Sequence, residues 1–264
     1  MIFVKGYGQM CNNIMQYAHL YAFGREYGVT ALSMRFSYKY RYFALCGKWY
    51  HNFLTYLIGK VLIGTHIIDC ITADRTPDID RRLRDTPLIG CGAWGCRYPV
   101  LFQKYKDEIR HLFEINPRIR QRVSDRMASF PKTDIRLGLH IRRGDYAKWQ
   151  DGKYFFADDV YHRLIKQFVA MNAGKSVSVF ICTNDMQLDL DGFRKVHPQT
   201  YLLRGSGIED LQTLASCDFI IGVKSTFSLW AAFYRDLPLY WIMDKDAPLT
   251  ADSFVHFDDV YTQI

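Results

Sequence analysis

The chain has 264 residues, of which 49% are hydrophobic and 23% charged, enough for one large globular domain or two of moderate size. Its net charge of +7 is uneven: the first 130 residues carry 19 Lys and Arg against 10 Asp and Glu, and the rest 15 against 17. The basic half suits an anionic substrate, nucleic acid or a lipid surface, while seven cysteines without a CxxC pair favour a reducing compartment and argue against a zinc site.

In chain order, "IFV" follows Met1 directly as a strand, so no secretory leader is expected. "NNIMQYAHLYAFGREYG" is a helix stopped by Gly28, and "TALSM" is a second strand. Region 36–62 is basic and aromatic and takes no clear element. Within it begins the apolar run "FLTYLIGKVLIGTHII" (Phe53 to Ile68), which is too short to span a bilayer and contains Lys60. "THIIDCI" and "PLIGCG" read as strands. "PVLFQKYKDEIRHLFEI" and "NPRIRQRVSDRMASF" read as helices, the second with Asn116 as cap and Pro117 at its first position. A domain boundary is expected at Phe130–Asp134, giving domains 1–130 and 131–264.

The second half alternates regularly. Strands are expected at 135–141, 177–182, 200–203, 218–223 and 238–243, with helices at 158–171, near 186–195, at 208–217 and at 225–234. Val- and Ile-rich strands alternating with short helices imply a covered parallel sheet, hence a Rossmann-like domain.

The stretch "LGLHIRRGDYAKW" ends the first of these strands. Alternation places His140 and Arg142 on one face, and Arg143, Gly144 and Asp145 open the loop. Ligands of open parallel sheets sit at the carboxyl ends of strands, and an arginine there can fork onto a phosphate. Asp145 could orient an Arg or a His. A solvated turn with a local Arg–Asp pair explains the same residues. Other strand ends carry Thr183, Asn184 and Asp185, then Arg204 to Gly207, then Lys224, Ser225, Thr226 and Ser228. The last group opens a helix, where free N–H groups bind anions, although capping alone would also explain it. No Walker pattern and no GxGxxG occurs, so neither an ATPase nor a dinucleotide enzyme is indicated.

Together, "GQMCNNIMQYA" (8–18), "HIRRGDY" (140–146) and "CDFIIGVKSTFSLWAAFY" (217–234) resemble glycosyltransferase family 11, the α-1,2-fucosyltransferases, within the GDP-fucose-dependent group carrying an HxRRxD-type motif. "FICTND" fits a further motif. The resemblance implies an α/β, GT-B-like fold of two Rossmann-like domains with the donor cleft between them. The N-terminal domain would lie on the acceptor side and the C-terminal one would bind GDP-fucose. Arg142 would neutralise the diphosphate, with Arg143, Thr183, Asn184, Asp185 and Lys224 around it. Asn12 would face the cleft, Ser225, Thr226 and Ser228 would lie near phosphate and fucose, and Asp210 matches an acidic position preceding them. The chain departs from the family pattern at Gln9 and Cys11, which replace glycines, at Asn13, which replaces a glutamine, and at Leu229-Trp230, where paired tryptophans are usual.

The implied reaction is inverting transfer of fucose from GDP-fucose to a glycan hydroxyl, the 2-OH of a galactoside being the expected acceptor. It needs charge stabilised on the departing phosphate, which Arg142 and the helix start at Ser225 would supply with no metal and no cofactor beyond the donor. Asp145 and His140 are candidates for the base, or both only orient Arg142. "DLD" (189–191) lies in a helical stretch and is given little weight as a metal site. Three other readings are a transferase of another linkage, a nucleotide-sugar-binding module without catalysis, and a basic nucleic-acid-binding protein using the aromatics of region 36–56. No recognised nucleic-acid motif supports the last. Region 36–62 is expected instead to make peripheral membrane contact, to meet a lipid-linked acceptor or to pack in the acceptor domain. The expected location is the cytoplasm, at the inner face of a membrane.

Overall fold

The computed structural model describes residues 1–264, the side chain of Asp145 excepted. It divides into two compact units, Met1–Asn116 and Pro117–Ile264. The fold class is the expected one, α/β and GT-B-like, with each unit built on its own parallel sheet.

In the first unit the strands are β1 (Ile2–Val4), β2 (Ala31–Ser33), β3 (Cys70–Ile71) and β4 (Ile89–Cys91), in the order β2-β1-β4-β3. The long helix Met10–Tyr27 is buried along most of its length and ends at Gly28, as expected. Region 36–62 resolves into two different parts. Phe36, Tyr40 and Phe43 are buried. Phe36 packs edge-to-face on Phe43 and Phe113 with centroids 5.6 and 5.3 Å away, so these aromatics form core and present no stacking platform. The helix Phe53–Gly64 instead buries only Gly59. Two further differences are local. The helix expected at 99–115 breaks at Tyr105 into Pro99–Lys104 and Lys106–Leu112, and a helix forms at Pro77–Asp85, which no expectation covered.

In the second unit β5 (Ile135–Ile141), β6 (Val177–Thr183), β7 (Thr200–Leu202), β8 (Phe219–Val223) and β9 (Leu239–Ile242) are all parallel, ordered β7-β6-β5-β8-β9. Each expected strand and helix of this half is present. Leu137, Leu139, Ile141, Val179, Ile181 and Ile221 pack one face of the sheet against Tyr161, Leu164 and Phe168. On the other face, Val123 and Met127 of helix Pro117–Ala128 join Phe180, Leu203 and Cys217. That packing assigns the helix to the second unit. The division therefore falls before Pro117, not at the expected Phe130–Asp134.

Candidate active site

In the second sheet the chain starts in the middle at β5, runs outward to β6 and β7, then returns to the other side of β5 as β8 and β9. The reversal leaves a crevice at the carboxyl ends of β5 and β8, where ligands of open α/β sheets bind. His140 of β5 stands opposite Gly222 of β8. A Cβ at Gly222 would lie 2.9 Å from that of His140, so glycine makes room for the imidazole. The ring is 5% exposed and packs on Phe227, centroids 5.0 Å apart. Its Nδ1 has no hydrogen-bond partner among the described residues. Burial, and secondarily the charge of Arg142, push its pKa down to about 3, so the ring is neutral at neutral pH.

Two residues on, just past the end of β5, Arg142 is half-buried, its guanidinium 5.6 Å from the ring centre of Tyr146. The Tyr146 hydroxyl donates to the Lys224 carbonyl at 3.1 Å. Tyr146, which sequence reasoning passed over, thus ties the loop carrying Arg142 to the turn after β8.

Arg143 points into a different environment. Its guanidinium bonds the Phe156 carbonyl and the Asp158 carboxylate, lies 3.8 Å from Asp185, and faces the rings of Phe155 and Tyr161. The side chain is 12% exposed. Asn184 clasps the backbone of the same residue, its Oδ1 accepting the Arg143 N–H at 2.7 Å and its Nδ2 donating to the Arg143 carbonyl at 3.1 Å. Thr183 accepts the Asp185 N–H, and Asp185 accepts the Gln187 N–H. Arg143, Asn184 and Asp185, expected to contact the donor, are therefore committed to bracing the loop. The two terminal nitrogens of its fork are taken by protein oxygens, while its buried Nε has no hydrogen-bond partner among the described residues.

The turn after β8 separates in the same way. Ser225 caps the helix Thr226–Phe233, accepting the Phe227 N–H at 3.0 Å. Lys224, Ser225 and Thr226 are half-buried. Ser228 is fully buried: its hydroxyl points to the Val223 carbonyl and accepts from the Trp241 indole N–H at 3.0 Å. Ser228 is an internal tie at the end of β8, buried away from solvent, whereas its expected place is beside phosphate and fucose. The candidate base Asp145 has its side chain outside the described residues. Asp189 of the "DLD" stretch accepts the Gly192 N–H and caps a helix.

Asp210 opens the helix Gly207–Ala215 that follows β7. Burial, and then the neighbouring Glu209, raise its pKa to about 7. A raised acid binds its proton more tightly when folded, so its contribution to stability is full below the ordinary carboxylate range and lost as pH rises to about 7. Thermal melts from about pH 5 to pH 8 should show a loss of roughly 2–4 kcal/mol that Asp210→Asn abolishes. A variant that melts with the same pH dependence as the parent would show that Asp210 is not the group responsible.

The first sheet reverses between β1 and β4. After β1, Gly6 turns with φ of 87°, where a Cβ would meet Asn13 Oδ1 at 2.2 Å. Asn13 is buried and stitches this turn, accepting the Tyr7 N–H at 3.1 Å and donating to the Gln9 carbonyl at 2.6 Å. The candidate Asn12 lies beside it, half-buried, over Gly8. After β4 comes Trp94, its ring 5.5 Å from that of Tyr7 and covered by the Arg97 guanidinium at 3.9 Å. Tyr7 is 55% exposed. This aromatic pair was legible only as a Trp just past a strand in "PLIGCGAW".

A cavity of about 700 Å³ lies at the opposite end of the second sheet, among Phe130, Lys132, Arg136, Ser178, Phe180 and Arg235. None of the candidate residues lines it.

The family model Glycosyl transferase family 11 matches residues 81–237, more than half of the chain. No curated relative matches by sequence at a significant level. By structure the chain is similar to POFUT1 in complex with GDP, with TM-score 0.61 and 11% identity over 94% of this chain and 95% of that one. It is similar to the fucosyltransferase NodZ from Bradyrhizobium, with TM-score 0.60 and 15% identity over 94% and 96%. A third is an Arabidopsis thaliana FUT1 mutant in complex with GDP, with TM-score 0.62 and 10% identity over 97% and 73%. At these identities the likeness is one of fold. The family match spans β5, β6 and β8 with the strand ends just described, and the chain belongs to glycosyl transferase family 11.

Proposed function

We propose that the chain transfers fucose from GDP-fucose to a glycan hydroxyl, with inversion, the 2-OH of a galactoside being the acceptor. The observation that carries this reading is Arg142 at the reversal of the second sheet, beside the helix start at Ser225. A guanidinium and the positive end of a helix dipole stabilise charge on a departing diphosphate without moving during the reaction. POFUT1, of similar fold, is seen in complex with GDP and with GDP-fucose, which supports the choice of donor. His140 acts as a positioning residue: buried and neutral, it fills the space under the strand end and fixes where Arg142 leaves the sheet. Asp145 is the remaining candidate for taking the acceptor proton.

The exposed Tyr7 ring, backed by Trp94, supports a sugar acceptor, because an exposed aromatic face stacks on the C–H face of a galactose ring. Seven free cysteines, six of them buried, fit a reducing, cytoplasmic location.

A panel of nucleotide sugars with simple galactosides, read by nucleotide release, tests the donor. GDP release from GDP-fucose that rises on adding galactoside and persists in chelator is the expected result. Turnover with a different donor alone would overturn the reading. Linkage analysis of the product tests the 2-OH assignment, because NodZ, of similar fold, is an α-1,6-fucosyltransferase. GDP binding without transfer to any acceptor would favour a binding module.

A further inference from the structure

The helix Phe53–Gly64 is apolar on two sides, and only one is used. On the inner side Gly59 lies against Phe3, where a Cβ would come within 2.6 Å of the ring. Tyr56, Leu62 and Ile63 pack there on Phe3, Leu32, Met34 and Ile68. The outer side carries Phe53, Leu54, Leu57, Ile58 and Val61, each 38–66% exposed. These positions recur every three to four residues and form one stripe. Trp49, 81% exposed, precedes the stripe, and Ile67, 68% exposed, follows it. Apolar surface of this extent is what soluble surfaces avoid unless it meets a partner.

The charge around the stripe has one sign. No Asp or Glu occurs from Tyr27 to Ile68, while Arg35, Lys39, Arg41, Lys48 and Lys60 do. All but Arg35 are exposed. A second copy of the chain packed on this face would set these cations against their own kind. An anionic lipid surface satisfies both the apolar stripe and its basic surround. The helix is about 18 Å long, and no described helix is long and apolar enough to cross a membrane, so the fitting geometry is in the plane of the interface.

We propose that this helix, with Trp49, seats the protein on an anionic phospholipid surface. The outer stripe enters the boundary with the acyl chains, and Lys48 and Lys60 meet the headgroup phosphates. The contact expected of residues 36–62 is thereby confined to 49–64, because the aromatics before Trp49 are largely spent in the core.

The test is flotation of the full chain with vesicles of phosphatidylcholine alone and of phosphatidylcholine mixed with phosphatidylglycerol, at low and high salt. Co-flotation with the mixed vesicles, reduced by salt, is expected. Leu54→Glu/Ile58→Glu should lower partitioning by about tenfold or more, and Lys48→Glu by about fivefold or more on the mixed vesicles alone. Both variants alter exposed positions, and unchanged circular-dichroism melts would confirm that they fold. Three results would overturn the proposal: no flotation of the parent chain, equal flotation of the Leu54→Glu/Ile58→Glu variant, or a parent dimer on size exclusion that this variant converts to monomer without affecting flotation.

Discussion

Arg142→Ala should reduce kcat with GDP-fucose by about 10²–10³-fold or more while leaving the thermal midpoint nearly unchanged. The two halves of this expectation rest on different observations. Arg142 is half-buried and lies just past the end of β5, outside the sheet's ladder. Its loop is held instead by Asn184 at the Arg143 backbone and by the Tyr146 hydroxyl at Lys224. In the proposed reaction Arg142 is needed when the β-phosphate oxygen gains charge as the sugar departs, and loss of a preorganised donor at that point costs roughly 3–4 kcal/mol of transition-state stabilisation. Arg142→Lys keeps the charge but loses the planar fork, so an intermediate loss is expected. Steady-state rates of GDP release, with melts of the same preparations, decide the matter. Normal turnover in Arg142→Ala would remove the proposed reaction's main support.

The second sheet was legible because its signals agree. Val- and Ile-rich runs such as "VSVFIC" are too apolar to sit anywhere but inside a covered sheet, and three of the four helices between them carry acidic first turns. The first half was harder to read. Its strands are two or three residues long, below the length at which alternation can be seen. The helix Pro77–Asp85 had signals that went unread: Thr76 caps it, Pro77 occupies its first position, and Asp78 and Asp80 lie in its first turn. Only Ile79 and Leu83 are buried there, so its apolar stripe is thin. In region 36–62, composition could not distinguish aromatics that stack on Phe113 from those that face outward. That distinction comes from contacts with residues far along the chain.

The site was legible as a place but not as a set of roles. Spacing brought His140, Arg142, Arg143 and the later strand ends to one end of one sheet, and the structure puts them there. Spacing could not say which polar groups were already satisfied. A buried serine that ties Trp241 to Val223 looks, in sequence, like Ser225, which caps a helix at the sheet's open end. Likewise, nothing in "RRGD" distinguishes an arginine that leaves the sheet from one that turns back into it.

Arg143→Ala separates those two arginines. It should cost about 3 kcal/mol of stability, because it leaves the Asp158 carboxylate and the Phe156 carbonyl without their partner and opens a gap between Phe155 and Tyr161. Asp158 is one-third exposed, which keeps the figure below that of a fully buried pair. Domains of this kind hold only about 5–15 kcal/mol in reserve, so the loss should lower the thermal midpoint by several degrees. Well below that midpoint, kcat should stay within about tenfold of the parent, since the proposed reaction assigns the departing phosphate to Arg142 and not to Arg143. Arg143→Lys should recover little stability, because an ammonium cannot serve a carbonyl and a carboxylate in the geometry of the fork. Denaturant melts paired with kinetics at low temperature provide the comparison. The opposite pattern, unchanged stability with donor binding lost, would move Arg143 back to the phosphate and make the tandem arginines a shared clamp.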